Sequence, residues 1–258
     1  MNVEIKILKK LAPKDFVLVN GLPGIAYIGK LSVDYLIQQL KAELIGEVYS
    51  KYFPPYVLIK EDGLVELLRN ELHLFRNEAA GEILFFSGNS QAFSPEGQYE
   101  VADTLLDWAV AKGVRKVFSI AAYVTERMFE TPNIYGTATS SEALEELKKK
   151  GGVPLDQGII SGENGLIMGL AKKRDIEAVC LLGETRGYQT PTGQYIIDAK
   201  ATKAVLNLLT SILNLKVDMK PLDKQAEEMD DIITKMAEVE RRIKKEMSES
   251  AKKPSYVT

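Results

Sequence analysis

Four stretches of the chain carry apolar residues almost without interruption: 16–20 (FVLVN), 82–87 (EILFFS), 115–122 (RKVFSIAA) and 178–182 (AVCLL). Runs this short, without polar alternation, fit strands covered on both faces, as in a parallel sheet. Between them the period changes. Ile28, Leu31, Tyr35, Leu36 and Ile37 recur at helical spacing, predicting a helix over 25–40. Val101, Leu105, Trp108 and Ala109 do the same before Lys112. Ser94 followed by Pro95 is a helix start, and Gly113 is a helix stop. Further helices are expected over 141–150, 165–173 and 196–213.

Shorter strands are expected at 44–49, 56–59, 64–68, 71–75 and 157–160. The pair at 64–68 and 71–75 flanks Arg69-Asn70 and reads as a hairpin. Polar and apolar residues partly alternate over 71–76, which points His73 away from Leu72 and Leu74 as a surface or boundary histidine. Residues 123–140 show no clean period. The repeated strand, turn and helix order predicts an α/β fold, with a mostly parallel sheet covered by helices on both faces.

Beyond Pro221 the pattern shifts again. Leu222, Ala226, Met229, Ile233, Met236 and Ile243 follow steps of four and three residues, with Glu240 in one apolar place and Val239 beside it. Acidic residues (Glu227, Glu228, Asp230, Asp231) precede basic ones (Arg241, Arg242, Lys244, Lys245), the order that suits a helix macrodipole. The expected organisation is a core over 1–220, an amphipathic heptad-like helix over 221–247, and a flexible peptide over 248–258. A narrow apolar seam on a charged helix needs a cover. Its own domain, a second subunit and a separate protein are the candidates, and the last two together are favoured.

Composition narrows the function. Of 258 residues, 45% are hydrophobic and 27% charged, the balance of a folded globular chain. A net charge of -3 gives no excess of cations for a nucleic acid. No apolar run approaches the ~18 residues of a membrane span, and none is expected. One cysteine, Cys180, cannot make an intramolecular disulfide, which suits a reducing cytoplasm. Cys180 and the single histidine, His73, leave no zinc set, so neither metal nor cofactor is expected.

Three features could carry chemistry. Gly24 to Gly29-Lys30 has the spacing of a phosphate loop, but Leu31 stands where Ser or Thr should hold Mg²⁺. The plainer reading is a turn whose glycines allow close packing. Ser161-Gly162-Glu163-Asn164-Gly165 is a second glycine-rich turn before a helix. Glu184 follows a buried strand end, where open α/β sheets place ligands. Gly21, Gly24, Glu163 and Glu184 are therefore the candidate ligand crevice. Glu163 and Glu184 form a candidate acid/base pair. An enzyme acting there on a nucleoside-like or anionic ligand stays open beside a non-catalytic protein.

Several segments together resemble the proteasome assembly chaperone family and its archaeal homologues. They are Gly21-Leu22-Pro23-Gly24-Ile25-Ala26-Tyr27-Ile28-Gly29, Gly88-Asn89-Ser90-Gln91, Ile160 to Leu166, and Cys180-Leu181-Leu182-Gly183-Glu184-Thr185 with Gly187. The resemblance runs from about Val17 to Pro221. It implies a three-layer α/β/α sandwich similar to nucleoside phosphorylases and hydrolases. It also implies no established catalysis, but does imply oligomerisation and, in archaeal members, contact with the proteasome α-ring. Some partners of that ring dock a tail ending in a hydrophobic residue, tyrosine and any residue. Here the chain ends Tyr256-Val257-Thr258, with the tyrosine one place early. Leaning non-enzymatic, the expected protein is an oligomeric scaffold whose helix and tail bind a copy of itself or another protein.

Overall fold

The computed structural model describes residues 2–77, 81–127, 129–190, 192–229, 231–233, 235 and 239. In chain order its strands are β1 (Val3–Ile7), β2 (Phe16–Asn20), β3 (Glu43–Ser50), β4 (Val57–Ile59), β5 (Val65–Leu67), β6 (Asn70–Asn77), β7 (Gly81–Gly88), β8 (Val114–Val124), β9 (Ile134–Ala138), β10 (Val153–Pro154) and β11 (Glu177–Thr185). Its helices are α1 (Ile28–Leu40), α2 (Pro95–Lys112), α3 (Ser141–Lys149), α4 (Glu163–Lys173) and α5 (Ala199–Leu213), with one turn of 3-10 helix, Ile25–Tyr27, leading into α1.

Nine strands make one sheet in the order β1-β3-β6-β7-β2-β8-β11-β9-β10. The four runs of continuous apolar residues became its centre, β7-β2-β8-β11, and these pair in parallel. The sheet as a whole is mixed, which corrects the expectation of a mostly parallel one. From β1 through β3 and β6 to β7 every pairing is antiparallel, and β9 runs antiparallel to β11. The connection 51–69 is taken up by a small β4–β5 ribbon and only three residues separate β6 from β7, so neither supplies the crossover helix that parallel neighbours need. The hairpin expected across Arg69-Asn70 is not formed. Instead β5 pairs with β4 in a separate two-stranded ribbon, and β6 pairs with β3 and β7. The strand expected at 157–160 is loop.

Alternate residues of β2 separate two apolar clusters. Phe16 and Leu18 join Val101 and Leu105 of α2 and Ile167 and Ala171 of α4. Val19 joins Ile28, Val33 and Leu36 of α1 and Val205 and Leu209 of α5. Each face of the sheet is thus covered by helices, as the period of two along a strand requires. The predicted stops held: the Ser94 hydroxyl accepts from the Gly97 amide at 3.1 Å, and Gly113 closes α2 at φ 94°.

A helix over 220–229 follows α5. Leu222, Ala226 and Met229 are buried in their own chain, and Leu222 is part of the α1/α5 cluster. The phenol of Tyr35 donates to the Asp218 carbonyl at 2.6 Å, and Lys203 pairs with Asp223. The first half of the seam is therefore covered by its own domain, the less favoured of the three covers expected for it. The physical reason is local: α1 and α5 leave an apolar strip that the chain meets as it turns back at Pro221. Ile233 is half-buried, whereas Ile232 and Val239 are exposed. Met236, Ile243, Tyr256, Val257 and Thr258 lie outside the described residues.

Candidate functional site

The parallel strands end together where β2 runs into the glycine-rich turn and β8 and β11 run into loops. A crevice of about 600 Å³ opens there. Gly24, Ile25 and Gly29 form one wall, the loop 155–162 the opposite wall, and Tyr123, Thr137 and Asn164 part of the floor. The two glycine turns picked out in the sequence therefore meet across one cleft, at the strand ends where open α/β sheets bind ligands.

The turns are bolted together by amides. Asn20 at the end of β2 is buried and donates to the Ser119 hydroxyl (2.9 Å) and to Asn164 Oδ1 (3.1 Å). Asn164 also brackets Leu22: its Oδ1 accepts from the Leu22 amide and its Nδ2 donates to the Leu22 carbonyl, both at 3.0 Å. The Ser119 hydroxyl donates to the Asn164 carbonyl at 2.6 Å. One layer out, Gln91 donates to the Pro23 carbonyl and accepts from the Glu163 amide, each at 2.7 Å. Fully paired buried networks of this kind specify one arrangement. Asn20, Ser119, Asn164 and Gln91 were not singled out in the sequence, apart from Gln91 and Asn164 as members of motifs. Asn20, the one polar residue closing the apolar run 16–20, is the signal that could have found the first of them.

Glycine is required here for contact. A Cβ on Gly21 would sit 2.2 Å from the Gly29 carbonyl oxygen, and one on Gly29 would sit 2.6 Å from that of Ile120. Gly21 therefore locks α1 onto the sheet and does not line the crevice. Gly24 does line it, and a Cβ there would meet nothing closer than 3.8 Å. Ala26 and Tyr27 adopt φ of 53° and 56°, a conformation that non-glycine residues rarely take. The Ala26 carbonyl accepts from the amide of Asp198, whose carboxylate caps α5.

The two glutamates do not form an acid/base pair, which corrects the expectation. Glu163 opens α4 next to the crevice, but its side chain is buried toward the 91–92 loop. One oxygen accepts from the Ala92 amide at 3.4 Å, and the other has no partner. Burial pushes its carboxyl up to about 8, so it is a neutral acid at pH 7. Glu184, fully buried at the end of β11, is held elsewhere. Arg127 clasps both its oxygens (2.9 and 3.1 Å), and Asn133 donates to it through backbone and side chain at 2.9 Å each. Neither side chain lines the cleft, because each is bound to a different loop. Burial likewise pushes the Cys180 thiol up to about 12, leaving it inert as a nucleophile. Among the described residues, no three His, Cys, Asp or Glu side chains gather as a metal set. Nor is any helix among them long and apolar enough to cross a membrane.

The residues lining the cleft include Asp156 but no lysine or arginine. Such a lining suits uncharged polar groups better than an anion.

Comparison with known proteins places these features in a wider set. A family model described as the PAC2 family matches residues 18–237. Over 250 residues the chain is 32% identical to the uncharacterized protein MJ1210 of Methanocaldococcus jannaschii, spanning 96% of this chain and 93% of that one. The crystal structure of Pyrococcus furiosus PbaB, an archaeal proteasome activator, is similar with a TM-score of 0.83 and 32% identity, over 92% of this chain and 99% of that one. PbaA of the same organism, an archaeal homolog of proteasome-assembly chaperone, shares the fold with a TM-score of 0.74 at 24% identity, over 95% and 97% of the two chains.

Proposed function

The chain belongs to the PAC2 family, and from that premise we propose that it is a non-enzymatic protein of the cytoplasm that self-associates and docks on the α-ring of a proteasome. The observation that carries this reading is the 32% identity to PbaB, an archaeal proteasome activator, over nearly the whole of both chains. The arrangement at the cleft supports it. Glu184 is tied to Arg127 and Asn133 and the Glu163 carboxyl is turned to the Ala92 amide, so neither faces the cleft, and the amides around Asn20 and Asn164 hold two loops rigid, as a docking scaffold needs. Helices on both faces of the sheet fit a three-layer α/β/α sandwich. Residues Tyr256, Val257 and Thr258 are the segment assigned to ring docking, with the tyrosine displaced by one place from the usual tail.

Capture of the full chain on an immobilised archaeal α-ring tests the reading, with a second chain lacking Tyr256 to Thr258 beside it. Retention of the full chain and loss of the shortened one is the expected result. Retention of both removes the tail from the reading, and retention of neither removes the ring.

A further inference from the structure

The cleft at the strand ends, at about 600 Å³, falls inside the range of about 300–1,000 Å³ usual for small-molecule sites. Gln91 and Asn164 line it, but their amides are already spent on tying the two turns together. Other polar side chains of the lining are left over. Among the described residues, the hydroxyls of Tyr123, Thr137 and Ser161, the Gln157 amide and the Asp156 carboxylate have no hydrogen-bond or ion-pair partner. Apolar surface lies between them, from Ile25, from Ala121 and Ala122 of β8 and from Leu182 of β11. The Tyr123 ring is braced by Tyr135, with the ring centroids 4.3 Å apart.

Charge narrows the occupant. No cation lines the cleft, so a phosphate or carboxylate would enter without a counter-ion. An ammonium group fares little better. Helices α1 and α4 both begin at the cleft, through Gly29 and Gly162, and turn the positive ends of their dipoles toward it. The exposed Asp156 is the single charge in the lining that would attract it. Hydroxyl groups suit the lining on both counts. They donate to the Asp156 carboxylate and the Gln157 carbonyl, and they accept from the free hydroxyls.

One wall of the cleft is loosely held. Leu155 and Ile160 are packed against the cluster beneath α2 and α4. The four residues between them, Asp156 to Ile159, are all exposed and make no hydrogen bond among the described residues. Segments with so few bonds open and close at little cost. Ile159 is 95% exposed at the margin of a cavity with apolar walls. An inward fold of this segment would take that side chain out of water.

We propose that the cleft binds a small uncharged ligand that carries neighbouring hydroxyls on an apolar ring, and that residues 156–159 fold over it with Ile159 as the cover. A nucleoside and a neutral sugar share that chemistry. Tyr123 supplies a ring face, Thr137 and Ser161 meet the hydroxyls, and Asp156 and Gln157 close in from the loop. The site is additional to the docking role proposed above and requires no catalysis.

Thermal shift and calorimetric titration of the full chain with adenosine, uridine and maltose test it, with AMP and spermidine as charged counterparts. At least one uncharged probe is expected to raise Tm progressively with its concentration, while the charged ones bind at least about tenfold more weakly. Response to adenosine or uridine alone identifies a nucleoside, and response to maltose alone a sugar. Thr137→Val with Ser161→Ala is expected to raise the dissociation constant of the responding probe at least about tenfold. Ile159→Ser, a change in solvent that leaves the fold intact, is the second variant and is expected to speed dissociation. Hydrogen exchange of the 156–159 amides is expected to slow when the probe saturates the chain. No response to any uncharged probe overturns the site, as does binding of AMP or spermidine with equal strength or undiminished binding by Thr137→Val with Ser161→Ala. Unchanged exchange at 156–159 together with unchanged dissociation from Ile159→Ser overturns the closing loop. None of these outcomes bears on ring capture, so the two proposals fail separately.

Discussion

Glu163 shows what burial does to a single residue. Its folded-state value of about 8 lies above the ordinary 4.5, so between those values the folded chain keeps a proton that the unfolded chain has released. The stability tied to this group is full below pH 4.5 and is lost as pH rises toward 8. Glu163→Gln, which mimics the neutral acid, is expected to lose less stability than the unaltered chain between pH 5 and pH 8. The difference is on the order of 1 kcal/mol per pH unit, read from Tm at the two values. The glycines give a paired contrast. Gly21→Ala forces a methyl against the Gly29 carbonyl and is expected to cost about 2 kcal/mol or more, whereas Gly24→Ala fits within about 1 kcal/mol. Urea denaturation separates the two. Both glycines, with Glu163 and Glu184, stood out in the sequence as one group. Only three-dimensional contact shows that one glycine serves packing and the other the cleft, and that the carboxylates belong to different loops.

At the level of elements, local pattern was readable wherever the chain's own neighbours decide the structure. The continuous apolar runs became the central strands, and Ser94, Pro95 and Gly113 ended α2 where capping chemistry puts them. Pairing was less readable. Residues 56–59 and 64–68 looked like strands and are, but β5 turned to β4 because Lys60 to Gly63 forms the tighter turn, with Gly63 at φ 79° and the Leu64 amide on the Asp62 carboxylate. The helix over 220–229 is a further case. Its seam predicted an apolar face correctly, but sequence alone could not say that α1 and α5 leave a strip to receive it. Leu222→Ala is expected to destabilise the monomer by about 2–4 kcal/mol, seen as a lower Tm at any protein concentration. A seam used only between subunits would instead give a concentration-dependent loss.

Over the whole molecule, antiparallel strands extend a parallel centre. β1, β3 and β6 widen the sheet toward the β4–β5 ribbon, while the opposite end carries β9 and β10. The cleft and the ribbon are therefore built on different parts of the fold, the first on rigid strand ends and the second on a projection from one margin. A chain cut before Pro221 would strip Leu222 from the α1/α5 cluster as well as removing the tail. The last residues are thus best tested by a short deletion. Sedimentation velocity of the labelled full chain mixed with assembled archaeal α-rings reads the proposed partnership directly. Movement of the label into a faster boundary that contains the ring is the expected result. A label that sediments at its own rate at every ring concentration would contradict it.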